Sequence, residues 1–201
     1  MKSLESYIAP HSEYFQYTPS LTARNTFFYP VCTGHFVYEP DYTLHRSSFD
    51  SFLLMYISQG QLTVDTSNAS FQTKAGQFVL LDCYEPHGYT TTTGWESLWL
   101  HFDGKQARNY YDLIRMHLGT VFTLGDSASV LHSMENIYHT FSTSEVIREA
   151  LLSKQITDIL TRLLLSTPAD KDKTSDSMAD ITSYINEHFA EDITIKDLAE
   201  R

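Results

Sequence analysis

The sequence predicts a mainly β domain followed by C-terminal α-helices, on three observations. Between residues 24 and 102, short apolar segments are separated by turn residues at strand-length spacing. After Gly104 the apolar period lengthens from two to that of a helix. The 201 residues include 13 Tyr, 12 Phe and 2 Trp, an aromatic richness that favours strands around a substantial core. Many short strands of this kind imply a sandwich or small barrel rather than a βαβ sheet.

Residues 1–20 scatter Tyr7, Ile8, Tyr14, Phe15 and Tyr17 among polar residues, Pro10 and Pro19, without a period. They read as an extended arm or, alternatively, a frayed terminus. The run Phe49 to Ile57 ends at Ser58-Gln59-Gly60 and Leu62 to Asp65 follows at once, which is a hairpin signal. Ser70 to Thr73 and Gln77 to Asp82 are further strands, divided by Lys74-Ala75-Gly76. Glu85-Pro86-His87-Gly88 is a turn, and Tyr89 to Thr93 runs on to Gly94. In the last strand Trp95, Ser97, Trp99 and His101 share one face, and Glu96, Leu98, Leu100 and Phe102 the other.

Ala107, Tyr110, Tyr111, Ile114 and Leu118 then recur at helical spacing up to Gly119, a C-terminal cap residue. Thr120 to Leu124 suits one more strand. Asp126 or Ser127 caps a second helix carrying Val130, Leu131, Met134, Ile137, Tyr138 and Phe141. Ser144 opens a third, with Ile147, Leu151, Ile156, Ile159, Leu160, Leu163 and Leu164 at helical spacing. Its last turns are apolar on both flanks, which suits a dimer seam; packing on its own barrel is the alternative. Residues 167–177 hold no large apolar residue and read as a linker. Beyond them Ile181, Tyr184, Ile185 and Phe189 form a helical stripe, and Thr194 to Asp197 resembles a capping box.

Composition excludes several functions. The longest apolar run, Phe52 to Ile57, is far short of the ~20 residues that cross a bilayer, so no membrane partner is expected. The N-terminus lacks the charged and apolar regions of a secretory signal. Cys32 and Cys83 make neither a disulfide framework nor a zinc spacing, which suits a reducing cytosol and a cytoplasmic location. With 14 basic and 25 acidic residues, the net charge of -11 argues against these residues gripping a phosphate backbone. No nucleophile elbow, Walker loop, dinucleotide fingerprint or Cys-x-x-Cys occurs, so no catalytic residue and no cofactor are nominated. His45 and His87 lie on separate segments without a second His two residues away, so no metal ligand is nominated.

The face shared by Trp95, Ser97, Trp99 and His101 carries flat rings with small polar handles. Turned inward, it suits a small polar ligand. Arg46, with five donors in a rigid fork, suits sugar hydroxyls or a carboxylate. A filled core around Trp99, with Arg46 on a solvated rim, fits the spacing equally, and both readings stay open.

Arg46, then FLLMYISQGQL, KAGQFVLLDCYEPHGY and GWESLWLHFDG, in that order, resembles the effector-binding half of AraC/XylS-type transcription regulators. The tail DITSYINEHFAEDITIKDLAER resembles the opening of their C-terminal DNA-binding domain, so the likeness runs from about Phe36 to Arg201. It implies a cupin-like jelly-roll barrel, a helical element that dimerises, and a C-terminal domain with two helix-turn-helix units. The expected organisation is an arm at 1–20, an effector-binding barrel at 21–103, a helical dimerisation region at 104–166, a linker at 167–177 and a truncated DNA-binding start at 178–201. No DNA-binding residue is assigned within these bounds. DNA is expected as a partner only through the missing remainder of that domain, roughly 80–100 further residues.

Position by position, the resemblance implies that Arg46 holds ligand hydroxyls, Tyr89 lines the pocket, Trp99 stacks a sugar ring and Ser97 makes a polar contact. His87 falls near the same mouth, and His101 joins the pocket wall beside Trp99. The arm would add Tyr14 or Phe15, with no motif to fix the register; His35 and Phe36 receive no role. Dimerisation is expected through Leu151, Ile156, Ile159, Leu160, Leu163 and Leu164. The expected function is the effector-binding and dimerisation portion of a sequence-specific DNA-binding regulator. It would act as a homodimer and respond to a sugar or related metabolite, activation being the more usual mode in the family. The alternative is a metal-dependent cupin enzyme acting on a small metabolite through His45, His87 or His101.

Overall fold

The computed structural model describes residues 2, 5–143 and 146–166. The expected linker, the expected helix-turn-helix start and the helix opening expected at Ser144 lie outside the described residues. The order is β1 (Glu13–Gln16), α1 (Leu21–Thr26), β2 (Tyr29–Tyr38), β3 (Thr43–Arg46), β4 (Phe52–Thr66), β5 (Ser70–Lys74), β6 (Phe78–Asp82), β7 (His87–Thr90) and β8 (Trp95–Asp103). α2 (Ala107–Leu118), β9 (Val121–Phe122), α3 (Ala128–Ser142) and α4 (Glu149–Leu165) follow.

All pairings are antiparallel. One sheet runs β1-β2-β8-β4-β6-β9; in the second, β3 pairs β7, and β7 and β5 flank the far half of β4. β4 is therefore the element shared by both sheets, and they close into the jelly-roll barrel that the resemblance implied. The hairpin expected at Ser58-Gln59-Gly60 is not there. β4 continues as one strand of 15 residues, with a bulge between Ile57 and Gln59 where its register against β8 shifts. Gly60 takes φ +76, and a Cβ there would run into the backbone at Gly94 and Trp95. The residues that signal a turn instead bend the strand from one sheet into the other, because a bulge needs the same left-handed freedom.

Side-chain alternation on β8 divides the interior. Leu98, Leu100 and Phe102 join a core with Phe52, Leu54, Phe78 and Leu80 beneath the helices. Trp95 and Trp99 join a second core with Phe36, Tyr38, Met55 and Tyr89 inside the barrel. Thus the period read from Trp95 to Phe102 holds. α2 spans the expected residues and ends at Gly119, φ 85, whose N–H reaches the Arg115 carbonyl. Asp126 accepts from the Ala128 N–H at 3.1 Å, whereas the Ser127 side chain makes no cap bond at α3.

α4 runs Glu149–Leu165, and it changes the expected seam. Ile156, Ile159, Leu160 and Leu163 are at most 1% exposed, packed with Ile114, Met134 and Ile137 in the core of their own chain. Burial there leaves them no surface to offer a second copy without unpacking the helix; this is the own-barrel alternative. Leu164 packs partly against the same core, and of the six expected seam residues only Leu151 is substantially exposed, at 48%.

Candidate functional site

The barrel interior is not filled. A cavity of about 490 Å³ opens among the arm, β2, β3, β4, β7 and β8, a size ordinary for small-molecule sites. Period two sorts its walls. On β2, Cys32, Phe36 and Tyr38 face it; on β3, Leu44 and Arg46; on β4, Leu53 and Met55; on β8, Trp99 and His101. His45 lies between Leu44 and Arg46 and is exposed on the outer surface. The metal alternative named His45, His87 or His101, and of these only His101 lines the cavity, while His87 lines a different hollow. Among the described residues no group of three or more His, Cys, Asp or Glu gathers where it would hold a metal ion.

The arm is ordered. β1 pairs with β2 in the register Tyr14↔Gly34, so Tyr14 and Gln16 line the cavity while Phe15 packs on Tyr138, ring centroids 5.6 Å apart. Of these two, Tyr14 is the one that lines the cavity. Farther out, Lys2 and Glu5 reach the same cavity.

Trp99 owes its position to Gly34, opposite it on β2. A Cβ at Gly34 would collide with the indole ring and lie 2.9 Å from the Glu13 carbonyl. The indole meets Phe36 edge to face at 5.3 Å and His101 at 5.7 Å. Trp99 Nε1 is a buried donor on a lining side chain with no hydrogen-bond partner among the described residues, while the buried Tyr89 hydroxyl has the Cys83 thiol beside it. Unpaired buried donors are costly and call for an acceptor.

Arg46 stands at the mouth, its side chain 34% exposed and its guanidinium 5.2 Å over the Phe49 ring. Its Nη2 is 3.8 Å from Glu5 Oε1, and the Tyr42 hydroxyl donates to Glu5 Oε2 at 3.0 Å. The Arg46 charge is felt through the barrel. Burial first, then Arg46 and His87, hold the His101 imidazole down to about 3, against an ordinary 6.5. His101 is thus neutral near pH 7, its Nδ1 2.8 Å from Ser51 Oγ. Burial pushes the Cys32 thiol up to about 12, with Arg46 opposing, so it is not a ready nucleophile.

Two expected residues lie elsewhere. Ser97 is fully buried and off the cavity, its Oγ accepting from Trp95 Nε1 at 3.3 Å. The stack of Tyr38 on Trp95, 3.7 Å apart, occupies that end of the barrel. His87 lines a different hollow, with Arg108 and Arg115 of α2, while its Nδ1 lies 2.9 Å from the Glu85 carbonyl. Arg46, Tyr89, Trp99 and His101 are brought together. Phe36, Tyr42, Phe49 and Glu5 are wall residues that the sequence did not nominate. For Phe36 the signal was present, since Cys32, Phe36 and Tyr38 share a parity, but Pro30 and Gly34 mask the strand.

The sequence model of the AraC-like ligand binding domain family matches residues 29–160. An uncharacterised helix-turn-helix-type transcriptional regulator of Bacillus subtilis (strain 168), YisR, is 23% identical over 84% of this chain and 66% of its own. The chain therefore spans just under two thirds of the length of that curated relative. The crystal structure of the AraC-like transcriptional activator CuxR superposes with a TM-score of 0.51, at 14% identity, over 83% of this chain and 64% of that one. A Photorhabdus luminescens protein, plu4264, gives a TM-score of 0.39 at 15% identity, over 58% of this chain and 90% of its own.

Proposed function

We infer the function from one premise: the chain belongs to the AraC-like ligand binding domain family. It is the effector-binding domain of an AraC-type transcription regulator, and the effector is a small molecule held in the barrel. The observation that carries this reading is the unfilled cavity with Arg46 at its mouth and Trp99 in its wall. We read the effector as a carbohydrate: aromatic rings cover apolar ring faces, and a guanidinium fork meets hydroxyl oxygens. The protein works in the cytoplasm, and DNA is reached through residues outside the described ones. No helix among the described residues is long and apolar enough to cross a membrane.

Binding can shift the regulator only by the difference in effector affinity between its two states. β1 offers a route for that difference. Tyr14 and Gln16 face the cavity, while on the other face the Tyr17 hydroxyl donates to Glu149 Oε1 of α4 at 2.8 Å. The regulator is a homodimer in this reading. With the α4 stripe buried, the pairing surface falls to exposed apolar residues such as Leu113 and Met116 of α2 and Leu165 of α4.

A thermal-shift screen against sugars on the wild type, Arg46→Ala and Trp99→Ala tests this. A ligand that raises the wild-type melting temperature by several degrees should lose its effect in both variants. If both variants respond like wild type, the barrel is not the binding site.

A further inference from the structure

We propose that the effector carries a carboxylate, making it an acidic carbohydrate of the uronate or aldonate class, and that Glu5 of the arm holds the place of that carboxylate at Arg46. This rests on the carbohydrate reading above and adds the charge. Three observations carry it.

The first is the balance of donors and acceptors. Arg46 brings five N–H donors, and Trp99 Nε1 is a buried donor with no partner among the described residues. A neutral sugar arrives with about as many O–H donors as acceptors and leaves such a wall undersupplied. A carboxylate arrives with acceptors only, and its two oxygens match the guanidinium fork.

The second is charge. Among the described lining residues Glu5 is the one carboxylate, and both it and Lys2 come from the arm, not from the barrel. Without the arm, the cavity presents Arg46 to neutral aromatic walls and to His101, which stays uncharged. A cation set against low-dielectric walls draws an anion strongly.

The third is the looseness of the pairing. Glu5 Oε1 stands 3.8 Å from Arg46 Nη2, beyond hydrogen-bond reach, and the Glu5 side chain is 48% exposed. Its other oxygen takes the Tyr42 hydroxyl. A ligand carboxylate able to close on the guanidinium at hydrogen-bonding distance would make at Arg46 a contact that Glu5 does not make.

Isothermal titration of the 201-residue chain at fixed ionic strength tests this with matched pairs. Each pair is an acid and its neutral counterpart: galacturonate with galactose, gluconate with sorbitol, and benzoate with benzyl alcohol. The acid of a carbohydrate pair should bind about tenfold or more tighter than its neutral partner. Arg46→Gln should bring the acid down to the neutral level, with an unchanged circular dichroism spectrum showing that the variant folds. Glu5→Gln, which removes the competitor, should tighten the acid severalfold and leave the neutral partner unmoved. If neutral members bind as well as the acids, or Arg46→Gln weakens both alike, the carboxylate assignment falls and the carbohydrate reading stands. If benzoate alone binds, the carbohydrate reading falls and the carboxylate stands. No binding by any acid up to about 20 mM, an affinity weaker than small-molecule sites of this size normally show, overturns the proposal.

Discussion

The two cores on either side of β8 are built for opposite ends. Beneath the helices, Leu98, Leu100 and Phe102 meet side chains from α2, α3 and α4, and the space between them is filled. Inside the barrel, Trp95 and Trp99 meet other rings, yet an open volume of about 490 Å³ remains, lined by a guanidinium and a neutral histidine. One strand supplies both by alternation alone. The helix-side core gives the fold its stability, and that margin allows the barrel to keep an unpaired indole donor and an open space. Stability and recognition therefore respond to different residues that are immediate neighbours in sequence.

The largest effect should come from the filled side. Leu160→Ala should lower unfolding free energy by about 2–5 kcal/mol in urea titration, the range for a fully buried leucine, while leaving ligand affinity per folded molecule unchanged. An equal loss of ligand affinity would merge the two regions into one. Leu160→Asp, which would have tested a dimer seam, should simply unfold the chain, because the residue has no exposed surface.

Gly34→Ala strikes the barrel side. The new methyl meets the Trp99 indole and the Glu13 carbonyl, so overpacking should cost about 1–3 kcal/mol and displace Trp99. Ligand affinity should fall with it. A near-neutral melting temperature would mean that the wall yields more easily than its contacts suggest.

Acid separates the two cores further. The folded chain holds His101 near 3, while the unfolded chain titrates it near 6.5. The unfolded state therefore takes up the proton first as pH falls; stability is complete above 6.5 and lost progressively toward 3. His87, also lowered by burial, acts in the same direction. Stability at about pH 5 should be roughly 1–2 kcal/mol below that at about pH 7.5, and His101→Asn should flatten the difference. An unchanged slope in that variant would place the acid sensitivity elsewhere.

The smallest effect on stability belongs to Arg46→Ala. Its ion pair with Glu5 is loose and a third exposed, so the change should be under about 1 kcal/mol, yet ligand binding should be lost. A large stability loss would make Arg46 a structural residue.

How legible this was depends on which physical signal each residue leaves in the chain. The alternation from Trp95 to Phe102 and the period ending at Gly119 are local, and both were readable. Gly60 was misread because a bulge and a hairpin turn ask for the same backbone freedom, and only the neighbouring strand decides between them. The six-residue α1 and the β2 strand around Gly34 carry no clean period. Trp99 and His101 are legible from the parity of one strand, Arg46 from its donor chemistry, and Tyr89 only from the family resemblance. Ser97 shares that strand parity too, but the Tyr38–Trp95 stack covers it, a tertiary fact that no spacing reveals. Glu5 lies 41 positions before Arg46 in an aperiodic arm, so nothing local joined the two. The α4 stripe was plain to see, but period alone does not tell an outer seam from an inner core.

The most direct measurement is a crystal structure of the chain with the carbohydrate that gives the largest thermal shift. The account predicts density inside the barrel, with a ligand oxygen within hydrogen-bond reach of Arg46 and a ring face against Trp99. Density in the hollow beside Arg108 and His87, or a barrel closed by its own side chains with the ligand elsewhere, would contradict it.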